Sequence, residues 1–343
     1  MRWLINDWYK ISERIETVAP EGSFKTIWGC WKAVCVASGN DCLGHRVVQG
    51  DVIVVDNETP LISLENHLNR FSQFFGYKDY KELPIYIYPG QDFQFDRKAE
   101  LDKLKRFVSN VTPVYIHLDS LLSMLPTGRN SLSENTNYLG GVIGKTLNEL
   151  LACSFNECVT DLVVHTKKAV VNYDLGLLQS SDIQSLVRGH GSIVGQGADS
   201  ALILKKLSEH PRPSRFCIIT RSRRTAVPMD SKVVYLELKE ETYGHGLAHL
   251  VEIDPLSLPP SREAKDIFQL LMATFNGKGW QEVTSRKIVY ELTLFTKPQI
   301  IRGIDELFQH KVIRNGSKPQ SYIIDKNYRV QCNPEYLDEL LKV

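Results

Sequence analysis

The chain has 343 residues, 43% of them hydrophobic and 24% charged, which suits a globular protein with one large and one smaller domain. Its 41 basic and 40 acidic residues leave a net charge of +1, so overall charge points to neither a nucleic-acid-binding nor a membrane-binding protein. Seven scattered cysteines without a C-x-x-C pair argue against a disulfide framework or a zinc site. With no apolar span or signal peptide, they favour a cytoplasmic protein with no membrane partner.

Apolar strands and helical patterns alternate along most of the chain. Strands are predicted at 14–19, 50–59, 83–90, 112–125 and 159–170, and helices at 25–39, 61–76, 98–110 and 138–155. More closely spaced strands follow at 199–206, 214–223 and 232–239. The alternation predicts an α/β fold with a mainly parallel sheet, covered by helices on both faces and extended by antiparallel strands at one edge.

A Pro-rich segment, residues 253–262, separates this core, 1–252, from a different style of sequence in 263–343. Beyond the segment, three helical patterns precede a turn at 314–320 and the strand "SYIID". Three helices closed by a small hairpin predict a winged helix-turn-helix domain.

The stretch "APEGSFKT", residues 19–26, is close to the phosphate-binding pattern G-x-x-x-x-G-K-[ST], with Ala19 and Phe24 at the two glycine positions. Such a loop needs converging backbone N–H groups, a lysine for the outer phosphates and a hydroxyl for Mg²⁺, and Lys25 and Thr26 open the helix that follows. The replacements are tolerable if both positions keep a negative φ. The motif alone fits a nucleotide site and a chance turn about equally.

Acidic residues follow two of the predicted strands. Glu58 ends "VIVVDNE" and Asp119 ends "VYIHLD". Because ligands of open α/β sheets bind beyond the carboxyl ends of the strands, Lys25, Glu58 and Asp119 are expected to converge. Thr26 and Asp119 would then hold Mg²⁺, and Glu58 would polarise an attacking water. Either acid alone also fits a strand-end cap, but the ordered placement of all three residues favours a site.

With these motifs in place, residues 10–245 resemble the RecA-fold ATPases of the RepA-like and DnaB-like hexameric helicase group. The loop is similar to a "PGSFKS/T" variant of that group, in which an aromatic residue replaces the last glycine. The resemblance implies a RecA-like P-loop NTPase core with ATP and Mg²⁺ as cofactors. Nucleotide would be bound by the loop residues Glu21, Gly22, Ser23, Phe24, Lys25 and Thr26.

Two later strands extend the resemblance. "LVVHTKK" is similar to the strand whose terminal histidine senses the γ-phosphate, which implies that role for His165. "IITRSRRTAVP" is similar to a strand whose two cations reach the γ-phosphate of a neighbouring subunit, here Arg221 and Arg223, although the family's lysine is replaced by Arg221. Without the resemblance, His165 fits a buried strand-end histidine and the arginines fit a solvated basic strand end.

Two regions supply the predicted DNA contacts. "VRGHGSIVGQGADSALIL" is similar to the segment where a central-channel loop rejoins the core, and the channel cations would be Lys167, Lys168 and Arg188. Residues 297–320 carry five cations against two acids, and the contacts predicted there involve Gln299, Arg302, Arg314 and Lys318. The alternative for this domain is protein contact or subunit docking.

Sequence and resemblance together predict an ATP-hydrolysing DNA motor. It would form a ring, expected to be a hexamer, with ATP at the subunit interfaces and single-stranded DNA in the channel. This fits a replicative helicase of a plasmid, phage or mobile element. The second hypothesis is an ATP-switched DNA-binding regulator or helicase loader with slow turnover, which the weak glycine pattern favours. A nucleotide-dead scaffold is disfavoured because Lys25, Thr26, Glu58 and Asp119 are all present.

Overall fold

The structure is a computed structural model, which describes residues 2–20, 22–88, 93–95, 97–125, 136–166, 198–207, 214–222, 232–242, 245–254, 260–275, 279–318 and 320–342. The chain divides into two compact units, Met1–Glu252 and Ile253–Val343. Some residues to which the sequence analysis gave a role lie outside the described residues, namely Glu21, Lys167, Lys168, Arg188 and Arg223.

The N-terminal unit is built on one mixed sheet, preceded by a short hairpin of β1 (Trp3–Ile5) and β2 (Tyr9–Lys10). The described strands of the sheet are β3 (Arg14–Ala19), β4 (Val52–Asp56), β5 (Ile85–Ile87), β6 (Tyr115–Asp119), β7 (Val159–His165), β8 (Ser200–Lys206), β9 (Ser214–Ser222), β10 (Val233–Thr242) and β11 (His245–Glu252). The described helices of this unit are α1 (Lys25–Ser38), α2 (Leu61–Phe74), α3 (Lys98–Val111) and α4 (Thr136–Cys153).

The strand order is β11-β10-β9-β8-β3-β7-β6-β4-β5. The pairs from β5 through to β8 are parallel. The pairs from β8 to β11 are antiparallel, as expected for strands joined with few intervening helices. The predicted α/β fold, with a mainly parallel sheet and an antiparallel extension, is confirmed.

Helices cover both faces of the sheet, and β4 shows why its sequence is continuously apolar. Val52 and Val54 pack into the layer that contains α1 and α2, whereas Ile53 and Val55 pack into the layer that contains α3 and α4. Successive side chains of a strand point to opposite faces, so β4, which is buried on both faces, is apolar from Val52 to Val55. Each such valine stabilises the fold by about 1.5–3 kcal/mol relative to an exposed one.

Some predicted strands are longer than the observed ones. The strand expected at 112–125 is β6, Tyr115–Asp119, because Thr112 adopts φ 53 and ends α3 with a left-handed cap. The strand expected at 83–90 is β5, Ile85–Ile87. The first hairpin and β11 were not predicted at all.

The C-terminal unit has its own elements and its own apolar core. The elements are α5 (Arg262–Met272), β12 (Val283–Thr284), α6 (Ser285–Glu291), α7 (Lys297–Gln309), β13 (Ile313–Asn315), β14 (Ser321–Ile324), α8 (Tyr328–Gln331) and α9 (Pro334–Leu341). Its three strands form a sheet in the order β12-β14-β13. The core is centred on Ile267, Leu271, Ile300, Leu307 and Tyr336. Across the described part of the chain, no helix is both long and apolar enough to cross a membrane.

Candidate active site

The carboxyl ends of four neighbouring strands lie side by side at one edge of the sheet. Ala19, at the end of β3, lies in register with His165, at the end of β7. Asp56, at the end of β4, lies in register with Asp119, at the end of β6. Glu58 follows Asp56 by two residues. The sheet therefore brings the predicted Glu58, Asp119 and His165 to the edge where the predicted phosphate loop leaves β3.

The loop after β3 passes through two left-handed residues. Gly22 has φ 71 and Phe24, directly before α1, has φ 63 and ψ 20. The expectation of a negative φ at position 24 is wrong, because the backbone keeps the conformation that the glycine pattern calls for. That conformation costs a residue with a Cβ about 1–2 kcal/mol. The Phe24 ring stacks on Phe216 of β9, with centroids 5.2 Å apart and planes inclined by 18°, which offsets part of this cost.

Lys25 and Thr26 form the first turn of α1, directly after the loop. Lys25 is buried, and its Nζ donates a hydrogen bond of 2.9 Å to the carbonyl oxygen of Pro20, so the side chain folds back along the loop. The Thr26 hydroxyl donates a hydrogen bond of 2.8 Å to Oδ2 of Asp119. A hydroxyl and a carboxylate this close can both be oxygen ligands of one Mg²⁺.

Asp119 has an electrostatic environment that suits a cation. Its side chain is only 1% exposed, and burial raises its pKa to about 6. The negative charge of Asp56 also raises this pKa, while His117, Thr26 and Lys25 lower it. A buried carboxylate beside a second carboxylate gains most when a divalent cation supplies positive charge. These residues therefore fit Mg²⁺.

Asp56 is a site residue that the sequence analysis missed. Its Oδ1 accepts hydrogen bonds from the backbone N–H groups of Glu58 and Thr59, at 2.8 and 2.7 Å. Its Oδ2 is buried and has no hydrogen-bond partner among the described residues. Asp56 thus fixes the segment that carries Glu58 and adds negative charge beside Asp119. The signal was present in the sequence, since Asp56 is the first polar residue of "VIVVDNE".

Glu58 and His165 are in direct contact. The His165 Nε2 lies 3.0 Å from Oε2 of Glu58, with His165 5% exposed and Glu58 47% exposed. The hydrogen bond to His165 lowers the pKa of Glu58 to about 2, against the opposing effect of burial. Glu58 is therefore ionised and Nε2 carries the proton. A carboxylate with so low a pKa is a weak base, so the bond must loosen before Glu58 can accept a proton from water.

Arg221 lies away from the strand end at which the phosphate loop begins. It pairs across the β8–β9 ladder with Ala201, which in turn lies beside Glu16 of β3. Its side chain is only 6% exposed. The structure therefore does not bring Arg221 together with Lys25 of the same chain.

The C-terminal residues predicted to contact DNA differ in their surroundings. Gln299 is occupied within the unit: its Oε1 accepts hydrogen bonds of 2.8 Å from the N–H and the hydroxyl of Thr296, and its Nε2 donates one of 3.2 Å to Glu263. Arg302 is half-buried on α7. Arg314 on β13 and Lys318 in the following turn are exposed. Of the four predicted contacts, these two cations are the most accessible.

Comparisons with known proteins bear on the N-terminal unit. Residues 1–170 match a family model described as an AAA domain (AAA_25). No curated protein matches the chain. Among solved structures, a KaiC-like protein from the hyperthermophilic archaeon Pyrococcus horikoshii OT3 is similar at 16% identity over 73% of this chain and 94% of that one, with a TM-score of 0.47. That likeness is too distant to bear on function. The AAA-domain match and the mainly parallel sheet support a RecA-like ATPase core.

Proposed function

We propose that the protein is a Mg²⁺-dependent ATPase that acts on DNA as a ring, expected to be a hexamer, in the manner of a replicative helicase of a plasmid, phage or mobile element. The observation that carries the proposal is the convergence at one sheet edge of a phosphate loop and four side chains with complementary roles. These side chains are Thr26, Glu58, Asp119 and His165.

Each residue has a distinct task in the proposed hydrolysis. The N-terminus of α1 and Lys25 attract the phosphates. Thr26 and Asp119 hold Mg²⁺, which when bound neutralises charge on the outer phosphates. Glu58 orients the attacking water. His165 leaves Glu58 and donates a hydrogen bond from its Nε2–H to a γ-phosphate oxygen, which frees the carboxylate to accept the proton of the water as the water oxygen bonds to the γ-phosphorus and ADP leaves.

A ring is part of the proposal because of where β9 lies. Arg221 lies in the row of Ala201 and Glu16, away from the end of β3 that leads into its own phosphate loop. Its proposed partner is the ATP of a neighbouring subunit, and because Arg221 is only 6% exposed, its side chain would have to leave this buried position to reach it. Arg223 follows two residues later along the chain and is proposed for the same task. A cation acting in trans requires a closed or helical assembly of subunits.

DNA is the proposed partner of two regions. One region is the C-terminal unit, proposed as a winged helix-turn-helix with α6 and α7 as its helical pair and β13–β14 as its wing, and the order of these elements along the chain supports the proposal. Among the described residues of α7, the exposed ones are Lys297, Ile301, Asp305 and Gln309, of which one is basic, so the proposed duplex contact of this unit rests mainly on the exposed cations Arg314 and Lys318 of the proposed wing. Single-stranded DNA in the channel would meet Lys167, Lys168 and Arg188.

One observation favours the second candidate, an ATP-switched DNA-binding regulator or helicase loader. The bond from His165 holds the pKa of Glu58 at about 2, so hydrolysis is slow until something displaces His165. In a motor, the binding of single-stranded DNA drives the move of His165 from Glu58 to the γ-phosphate of bound ATP. In a switch, ATP stays bound and turnover remains slow whether DNA is present or not.

The deciding experiment is steady-state ATP hydrolysis with and without single-stranded DNA, for the wild type, Lys25→Ala and Glu58→Gln. The motor predicts strong stimulation by DNA that both substitutions abolish. Lys145→Ala is the matched control, since Lys145 is 79% exposed on α4 and its surface ion pair with Glu149 stabilises little. ATP binding with slow turnover that DNA does not change would reject the motor and support the switch.

A further inference from the structure

The phosphate loop makes a side-chain contact with the sheet that a glycine at position 24 could not make. Where the pattern has its last glycine, this chain has Phe24, which is half-buried and adopts the left-handed conformation. Its ring stacks on Phe216, which is fully buried in the apolar layer that also holds α1 and α2. A strained backbone conformation persists only where the surroundings fix it, and here the contact that fixes it is the aromatic stack.

Phe216 lies in the antiparallel part of the sheet, whereas β3, the strand that leads into the loop, lies in the parallel part. It lies on β9, paired with Lys206 of β8 on one side and Leu236 of β10 on the other. The loop itself runs from β3 to α1. The stack therefore fastens the loop to the antiparallel extension of the sheet. With glycine at position 24, the loop would have no such connection.

We propose that Phe24 and Phe216 form an aromatic tether that holds the phosphate loop in its nucleotide-binding conformation, which makes Phe24 a positioning residue for the phosphates of ATP. The inference rests on the proposed function in that the loop binds ATP. Its physical basis is pre-organisation: a loop already held in the binding geometry loses less conformational entropy when its N–H groups close on a phosphate. Nucleotide affinity thus depends on Phe216, a residue far from the loop in sequence.

The test is equilibrium binding of a fluorescent, non-hydrolysable ATP analogue with Mg²⁺ to the full chain. Phe24→Gly restores the glycine pattern and removes the backbone strain, yet the tether predicts that it weakens binding by roughly three- to tenfold. Phe216→Leu leaves the loop sequence intact and is expected to weaken binding by a similar factor. The double variant should be no weaker than either single one, because both substitutions remove the same contact.

A matched control separates the tether from general destabilisation. Phe71 is a buried phenylalanine of α2 in the same apolar layer as Phe216, and its ring contacts Trp31 edge to face. Phe71→Leu should lower thermal stability about as much as Phe216→Leu and leave nucleotide affinity unchanged. Amide hydrogen exchange without nucleotide gives a second readout: exchange at residues 22–26 should rise in Phe216→Leu and stay at the wild-type rate in Phe71→Leu.

The outcomes distinguish the two proposals. If the wild type binds the analogue and Phe24→Gly binds as tightly or more tightly, the tether is overturned and Phe24 is only a tolerated replacement for glycine. If Phe71→Leu weakens binding as much as Phe216→Leu, the tether is likewise overturned. If the wild type binds no nucleotide, the proposed function fails, and the role of the tether in ATP binding fails with it.

Discussion

Asp119, the proposed Mg²⁺ ligand, is deeply buried, and burial disfavours the ionised carboxylate that a cation would bind. Burial raises that pKa to about 6 from an ordinary value of 3.8. In the ligand-free protein, Asp119 therefore takes up its proton more readily in the folded state than in the unfolded state. Its contribution to the free energy of unfolding increases as the pH falls from 6 towards 4. Glu58 behaves in the opposite way: the bond from His165 lowers its pKa to about 2, so its contribution is present above pH 4.5 and is lost towards pH 2.

The raised pKa predicts that Mg²⁺ binding depends on pH. Mg²⁺ binds the ionised carboxylate, so between pH 7.5 and 5 protons compete with it, and below pH 6 affinity should fall by up to about tenfold per pH unit. Calorimetric titration of Mg²⁺ into the ATP complex at several pH values measures this dependence. Asp119→Asn is the control, since it keeps the pH response of ATP itself and lacks that of Asp119. Equal pH dependence in both proteins would contradict the assignment of Asp119 as a Mg²⁺ ligand.

The convergence of site residues was predictable because it depends on a simple rule. Parallel strands end at the same sheet edge, so residues that follow apolar strands, such as Glu58 and Asp119, had to meet there. The positive φ of Phe24 was not predictable, because it depends on Phe216, which follows it by nearly two hundred residues in sequence. The role of Asp56 depends on backbone geometry, since its Oδ1 binds two N–H groups of the next turn.

Among the elements, α1 packs against β6 with almost no clearance. A Cβ added at Gly29 of α1 would lie 2.3 Å from Nε2 of His117, which is buried on β6 two residues before Asp119. Gly29 is therefore a close-approach glycine within a helix, where glycine is otherwise unfavourable. The helix that opens with Lys25 and the strand that ends in Asp119 depend on this contact for their spacing.

Gly29→Ala should accordingly lower the free energy of unfolding by about 1–3 kcal/mol, the usual cost of overpacking a core. Chemical denaturation measures the change. Gly141→Ala in α4 is the matched control, because a Cβ there meets no atom within 4 Å and alanine is the better helix former. The control should leave stability unchanged or raise it slightly. If the two substitutions change the free energy of unfolding equally, the close packing of α1 on His117 does not contribute to stability.

The same helix is joined to β7 by a fully buried ion pair. Lys32 of α1 and Asp161 of β7 are in contact with both side chains 0% exposed. Asp161 also accepts hydrogen bonds from Thr17 and Tyr115, at 2.7 and 2.8 Å. Burial alone would raise the pKa of Asp161, but Lys32 and His117 outweigh it and hold that pKa well below its usual value. The pair links the helix after the phosphate loop to the strand that ends in His165.

Removing one partner of this pair leaves the other charge buried without compensation. Asp161→Asn and Lys32→Met should each cost about 3–5 kcal/mol of folding free energy. The double substitution should cost clearly less than the sum of the two, because it leaves no buried charge. A double-mutant cycle by urea denaturation measures the coupling. Additive losses would show that the two side chains do not stabilise each other.

Element types were easier to predict than element ends. Helix α1 and strand β4 are largely buried, and α2 buries Leu64, Leu68 and Phe71 at helical spacing, so their apolar patterns identified all three elements. The start of β6 was misplaced because Thr112 ends α3 in a left-handed conformation. The usual sequence signal for such a helix end, a glycine, is not present at that position. β11 was missed because only part of it is apolar: Ala248 and Leu250 are buried, whereas His249 lies between them on the other face.

For the whole molecule, the important feature is that the two units have separate cores. The apolar core of Ile253–Val343 draws its buried residues from Ala264 through Leu340, and the two apolar layers of Met1–Glu252 draw on that unit alone. With a net charge of only +1, the chain as a whole has no general affinity for polyanions. The proposed binding of DNA would therefore depend on local charge within each unit.

The β13–β14 hairpin of the C-terminal unit, which we propose as a wing, gives the sharpest test of this idea. Arg314 and Lys318 are exposed at β13 and the following turn. If they contact phosphates, Arg314→Ala with Lys318→Ala should weaken duplex binding for every sequence and reduce the slope of log K against log salt by about 2. Lys342→Ala, a change at an exposed lysine beyond α9, should leave the slope unchanged. Fluorescence anisotropy across a salt series measures it. An unchanged slope in the double variant would exclude the wing as a phosphate contact and favour protein contact or subunit docking for this unit.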